Sequence, residues 1–148
     1  MTRVLLANER KGLSRVIRTE LVYAGFLLFM SLAVWAWLHG QWYGVWMQAI
    51  FGQVPLANPG YDVGEKIFTK APYIAAGIIC GMGIGMGATS LRRLLLRFAA
   101  PISFAGVLVA MNPGHAPYLL SDFTPPLLAS CVIWIALSLV YARLKRRE

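Results

Sequence analysis

Two cysteines, two histidines and six carboxylates are the side chains with which this 148-residue chain could do nucleophilic, acid–base or metal chemistry. Cys80 and Cys131 each lie in a long apolar segment. If both segments are helices crossing a membrane in the same direction, a rise of about 1.5 Å per residue puts the two thiols at similar depths, roughly 9–14 Å below the outer surface. They could meet there. Thiol–disulfide exchange across a membrane needs a Cys-x-x-Cys motif or a second cysteine pair to pass oxidation on, and the chain has neither. Both cysteines are therefore expected to be small buried hydrophobes. A copper site would recruit the soft ligands Cys80, Met82, Met86 and Met111, with His39 and His115 at the outer face. No methionine run in an outer loop collects the ion, and methionines in apolar helices are mostly packing residues. No metal site is expected.

The carboxylates are no more promising as catalysts. Glu9 and Glu148 fall in basic tails, Asp62, Glu65 and Asp122 in polar connections, and Glu20 at the edge of the first apolar segment. Proton pumps and ion-coupled carriers keep an ionisable group inside the bilayer, and none is placed at mid-depth here. Glu20, two residues from Arg18, is expected to be an interfacial charge. The chain is expected to have no catalytic residue, no cofactor and no enzymatic activity.

These residues belong to a framework set by composition. The chain is 58% hydrophobic and 14% charged, whereas an average soluble domain is about half apolar and a quarter charged. Membrane helices of roughly 20 residues leave room for about four spans in one domain, residues 1–148, and none for a large soluble domain. The apolar runs place the spans at 21–38, 71–89, 94–111 and 125–142. The third carries Arg97 and Pro101 near its start, which leaves a short tilted span with a snorkelling arginine or a re-entrant hairpin.

Charge decides between them. Lys and Arg concentrate in cytoplasmic loops near membrane ends. Five precede the first span, Arg92, Arg93 and Arg97 lie around the second turn, and four follow the last span, so twelve of the fourteen basic residues share one side and only Lys66 and Lys70 lie on the other. Four spans with both termini cytoplasmic explain the split; a re-entrant third segment would put the basic C-terminus on the wrong face. The net charge of +8 is thus spent on orientation and on anionic headgroups, and no nucleic-acid partner is expected. The first span, with a core longer than a signal-peptide h-region and no A-x-A site, is expected to be an uncleaved signal anchor in a plasma (inner) membrane.

Two features point to packing and docking. In the second span Gly77, Gly81 and Gly85 recur every fourth residue, and Gly83 and Gly87 repeat the interval, so a helix here carries strips of bare backbone that a neighbouring helix can approach. Beyond the first span, GQWYGVWMQAIFGQV alternates a small, weakly polar face with Trp42, Tyr43, Trp46 and Phe51, which suits an uncharged helix lying in the outer interface as an aromatic anchor or as a docking surface for a partner subunit or a quinone. The following VPLANPGYDVGEKIFTKAPY reads as a turn-rich loop, and Pro125 with Pro126 is expected to open the fourth helix.

The expected architecture is all-α and integral to the membrane: four transmembrane helices with an outer interfacial helix between the first and second. The glycine-rich helix, short basic turn and second apolar helix from Tyr73 to Met111 resemble the hairpin of conjugative pilin subunits, over about a quarter of the chain. That resemblance implies a membrane component of conjugative or type IV secretion machinery as one alternative and carries no site residues with it. The residues themselves favour a non-catalytic small subunit or assembly factor of a larger inner-membrane complex, energy-converting or secretion-type, whose partners are the lipid bilayer and other membrane subunits. A homo-oligomeric channel or carrier lined by glycine backbone and Ser31, Thr89, Ser103 and Ser130 is the other alternative.

Overall fold

The computed structural model describes the backbone of residues 2–50, 59–88 and 90–146 and the side chains of residues 12–41, 69–88 and 90–146. Its elements are five α-helices, α1 Thr2–Ile50, α2 Pro59–Gly85, α3 Leu91–Arg97, α4 Ala99–Met111 and α5 Ala116–Lys145, with no strand among the described residues. Three helical stretches are long and apolar enough to cross a membrane: Gly12–Gln41 in α1, Leu91–Met111 through α3 and α4, and Ala116–Lys145 in α5. The other expected span, 71–89, is helical as the second half of α2 up to Gly85, and Thr89 lies outside the described residues.

α1 differs most from expectation. It runs 49 residues without a break, about 73 Å at 1.5 Å per residue and more than twice a hydrocarbon core of about 30 Å. The expected interfacial helix is therefore not a separate element: residues 41–50 continue the first span. No proline occurs between Thr2 and Ile50, and Gly40 and Gly44 each cost only about 1 kcal/mol in a helix interior, too little to end one. Trp42, Tyr43 and Trp46 thus sit on α1, their side chains beyond those described, and Phe51 lies outside the described residues.

Prolines moved the other boundaries. α2 starts at Pro59, inside the expected loop, since a proline in the first turn lacks only an N–H that would have gone unpaired; Pro72 then sits within the helix. α5 starts at Ala116 rather than at Pro125 and carries Pro125 and Pro126 internally. Each removes one backbone hydrogen bond and leaves the carbonyl four residues earlier without its helical donor. Pro101 does the same to the carbonyl of Arg97, and there the apolar run divides into α3 and α4 at Phe98. The connection from α4 to α5 is the expected Pro-Gly turn, closed by the His115 N–H donating to Asn112 O at 3.2 Å.

α2 is the centre of the bundle. It packs antiparallel to α1 and parallel to α5, with α4 closing the remaining side. Ala76, Cys80 and Ile84 of α2 are fully buried and meet Phe104 and Leu108 of α4 and Phe123, Leu127 and Cys131 of α5 in one core. Phe104 and Phe123 stack at 4.9 Å between ring centroids. A second cluster joins Ala24 and Leu27 of α1 to Ala100 of α4. Outside this core the helices present large apolar side chains, among them Phe26, Phe29 and Trp37 on α1 and Val132, Leu137 and Tyr141 on α5.

Candidate functional site

Among the described residues the strongest polar constellation lies where α2 ends. A helix leaves its last four carbonyls without backbone donors, and in an apolar setting each unpaired group costs several kcal/mol. Every carbonyl from Met82 to Met86 has a donor here. The Met86 N–H donates to Met82 O at 2.8 Å. The Tyr23 hydroxyl of α1 donates to Gly83 O at 3.1 Å. The Ser138 hydroxyl of α5 donates to Gly85 O at 3.1 Å and accepts the Gly87 N–H at 3.0 Å. Arg97 Nη1 reaches Gly83 O, Ile84 O and Met86 O at 3.3, 3.4 and 2.6 Å.

Arg97 holds the arrangement together. Its side chain is 10% exposed, its Nε donates to Glu20 Oε2 at 2.7 Å, and its guanidinium carbon lies 4.5 Å from the centroid of the Tyr23 ring. Glu20, with a side chain 8% exposed, also faces Arg93 Nε at 3.4 Å. A cation at a helix C-terminus is favoured by the helix dipole, and a planar guanidinium can meet a carboxylate, three carbonyls and an aromatic face together, which an ammonium cannot. Local sequence delivers Arg97 there. Gly87, at φ +63°, turns the chain out of α2, Ser90 caps α3 by accepting the Arg93 N–H, and two turns of helix bring Arg97 back beneath α2. The snorkelling arginine and interfacial Glu20 expected from sequence are instead a buried ion pair. The available signal was an acid at the edge of one apolar segment and an arginine near the start of another, at the same end of the bundle.

The glycines divide among three environments. A Cβ built on Gly77 would lie 2.5 Å from Phe123 O, one on Gly81 2.8 Å from Ser130 Cβ and 2.9 Å from Cys131 N, and one on Gly85 2.7 Å from Cys131 O. These three form the face on which α5 rests. Gly83 points the other way, against the side chain of Leu27 in α1. Gly87 meets nothing within 4 Å; it is a turn residue rather than a packing one, because its positive φ ends the helix and lifts it out of the interface.

The other candidates are scattered. Cys80 and Cys131 are free thiols in the same core, and Cys80 Sγ lies 3.1 Å from the Ser31 hydroxyl. Met86 lies at the Arg97 end while His39 and Met111 share a cavity at the opposite end, so the four soft residues and two histidines of a copper site are not brought together. Among the described residues no group of three His, Cys, Asp or Glu could hold a metal ion. The His115 Nδ1–H donates to Asn112 Oδ1 at 3.1 Å within its turn, and Asp122 pairs with Lys70 at 3.6 Å.

Fold and site together define an all-helical protein of membrane type, with a charge-capped central helix. Comparison with protein-family models, curated proteins and solved structures gives no match for this chain.

Proposed function

We propose that the protein is a non-catalytic subunit or assembly factor of a larger inner-membrane complex, of energy-converting or secretion type. In this reading it crosses the bilayer four times, with Arg97 at the cytoplasmic end and both termini cytoplasmic; the orientation rests on the twelve basic residues that share that side. The carrying observation is that the buried polar residues among those described, Glu20, Ser31, Arg97 and Ser130, each have a partner within the bundle. Ser31 meets Cys80, the Ser130 hydroxyl donates to Ile78 O at 3.1 Å, Ser138 serves Gly85 and Gly87, and Glu20 is bound to Arg97. Among the described residues no polar file lines a path for ions between Ala76, Ile84, Phe104 and Leu108, which are at most 2% exposed. A channel within one chain needs such a file. Meanwhile the apolar flanks of α1 and α5 are free to meet lipid or a neighbouring subunit.

Affinity purification from the native membrane in mild detergent tests the reading. The expected outcome is heterologous membrane subunits at fixed stoichiometry, retained when Cys80 and Cys131 are both replaced by Ala and with the activity of the complex intact. A pure homo-oligomer that conducts ions in vesicles would overturn it. So would loss of turnover in an intact complex after the cysteine replacements, which would reveal a redox or metal role.

A further inference from the structure

All the described Lys and Arg side chains except Lys70 lie at or beyond the Arg97 end of the bundle. The acid described there, Glu20, is buried against Arg97 and Arg93. Arg143 and Lys145, in the last turn of α5, are exposed, and among the described residues neither pairs with a carboxylate. Beside them a groove of about 390 Å³ runs between the end of α2 and α5, lined by Met86, Gly87, Trp134, Leu137, Ser138 and Tyr141. The Ser138 hydroxyl is already engaged by Gly85 O and the Gly87 N–H, which leaves the groove predominantly apolar. Its α5 wall belongs to Ala116–Lys145, a stretch long and apolar enough to cross a membrane, and the neighbouring Ile133, Val140 and Leu144 are exposed apolar side chains.

We propose that this groove binds one anionic glycerophospholipid, an acyl chain lying along Trp134 to Tyr141 and the phosphate held at Lys145 and Arg143. At about 1.5 Å per residue the groove follows α5 for roughly 10 Å. That length takes the first stretch of an acyl chain and is too short to seat another helix, itself about 10 Å across. Tryptophan and tyrosine at this level have the amphipathic rings that favour a membrane interface. Lys145 follows Tyr141 by four residues and Trp134 by eleven, so the three share one face of α5. Long helical side chains lean towards the N-terminus, which carries the Lys145 ammonium over the outer mouth of the groove. Unpaired cations at a membrane surface attract anionic headgroups, whereas a zwitterionic headgroup gains little from them. Charge complementarity and the apolar groove together select the lipid. The proposal rests on the membrane-type fold and not on the subunit role.

Native mass spectrometry of the purified full-length chain, released from non-ionic detergent with dioleoylphosphatidylglycerol and dioleoylphosphatidylcholine at equal concentration, tests it. One phosphatidylglycerol per chain is expected to saturate first. Its apparent Kd should rise about fivefold with Arg143→Gln or Lys145→Gln and roughly thirtyfold with both. Met86→Trp, which fills the groove from its exposed rim, should weaken the same adduct while leaving the melting temperature within a few degrees of the parent's. The pair Arg15→Gln/Arg18→Gln removes as much charge from the same end and should leave the first adduct unchanged. Equal loss in that control would mean attraction by net charge alone and overturn the site; so would equal retention of the two lipids, or a first adduct untouched by Met86→Trp. Displacement at equal concentration by glycerophosphoglycerol, the headgroup without acyl chains, or by a hexaglutamate peptide would assign the cations to a free phosphate or to an acidic protein segment, and would likewise overturn the proposal.

Discussion

Replacing Gly81 with Leu strains a contact at which the backbone of α5 lies directly on the backbone of α2. The new Cβ alone would stand 2.8 Å from Ser130 Cβ and 2.9 Å from Cys131 N, and closer still to Leu127 O. Two of those three atoms are backbone, so no rotamer change relieves the clash; α5 must move away from α2 as a body. Overpacking a close-packed site costs about 1–3 kcal/mol, and a four-carbon side chain against backbone belongs at or above the upper end. Leucine returns somewhat under 1 kcal/mol over glycine as a helix former, for a net loss of about 2 kcal/mol or more. At roughly 3 °C per kcal/mol for a chain of this size, the melting temperature should fall by about 6 °C or more. Cys80 and Cys131, free and buried, provide the assay, because a thiol-reactive fluorophore labels them only as the bundle opens on heating. Gly106→Leu is the control: a Cβ there meets nothing within 4 Å, and the melting temperature should stay level or rise. Gly83→Leu should fall between them, since the side chain it meets, Leu27, can rotate. Equal melting temperatures for the Gly81 and Gly106 variants would refute the claim that α5 rests on bare α2 backbone.

Arg97→Met should destabilise the bundle by about 3–5 kcal/mol, because it leaves the buried Glu20 with the half-exposed Arg93 in place of its 2.7 Å partner, whereas the double variant Glu20→Leu/Arg97→Met should recover much of that loss; a double variant no better than the single one would sink the ion-pair reading. Arg93→Gln should cost at most about 1 kcal/mol in the same melting assay, since its side chain is 41% exposed and its pairing with Glu20 is screened by solvent. Cysteine-accessibility labelling in oriented vesicles should find a cysteine at Asp122 reactive from outside and one at Arg92 reactive only from inside; the reverse at either position would invert the proposed topology.

Much of this molecule follows from properties each segment carries alone. Apolar length, the clustering of cations at segment ends and the four-residue glycine interval are local, so helix content, the stretches long and apolar enough to cross a membrane and the close-packing strip of α2 are legible without a fold. Helix boundaries were less so, because a proline early in a helix and one in its interior look alike in sequence: Pro59 opens α2, while Pro125 and Pro126 sit inside α5. The apparent interfacial segment failed for a related reason. Its aromatic pattern states a preference for a membrane surface, but only a backbone break could turn it away from the first span, and nothing between Leu38 and Ile50 breaks a helix. Tertiary structure alone decided which long-range partners meet. Glu20 and Arg97 stand 77 residues apart, and each read singly as an interfacial charge; burying either alone is prohibitive, and the pair becomes possible only when α1, the end of α2 and α3 arrive together. In the same way spacing announced that glycines would face a helix, yet the choice of α5 for Gly77, Gly81 and Gly85, of α1 for Gly83 and of a turn for Gly87 lies in how the helices pack and where α2 stops.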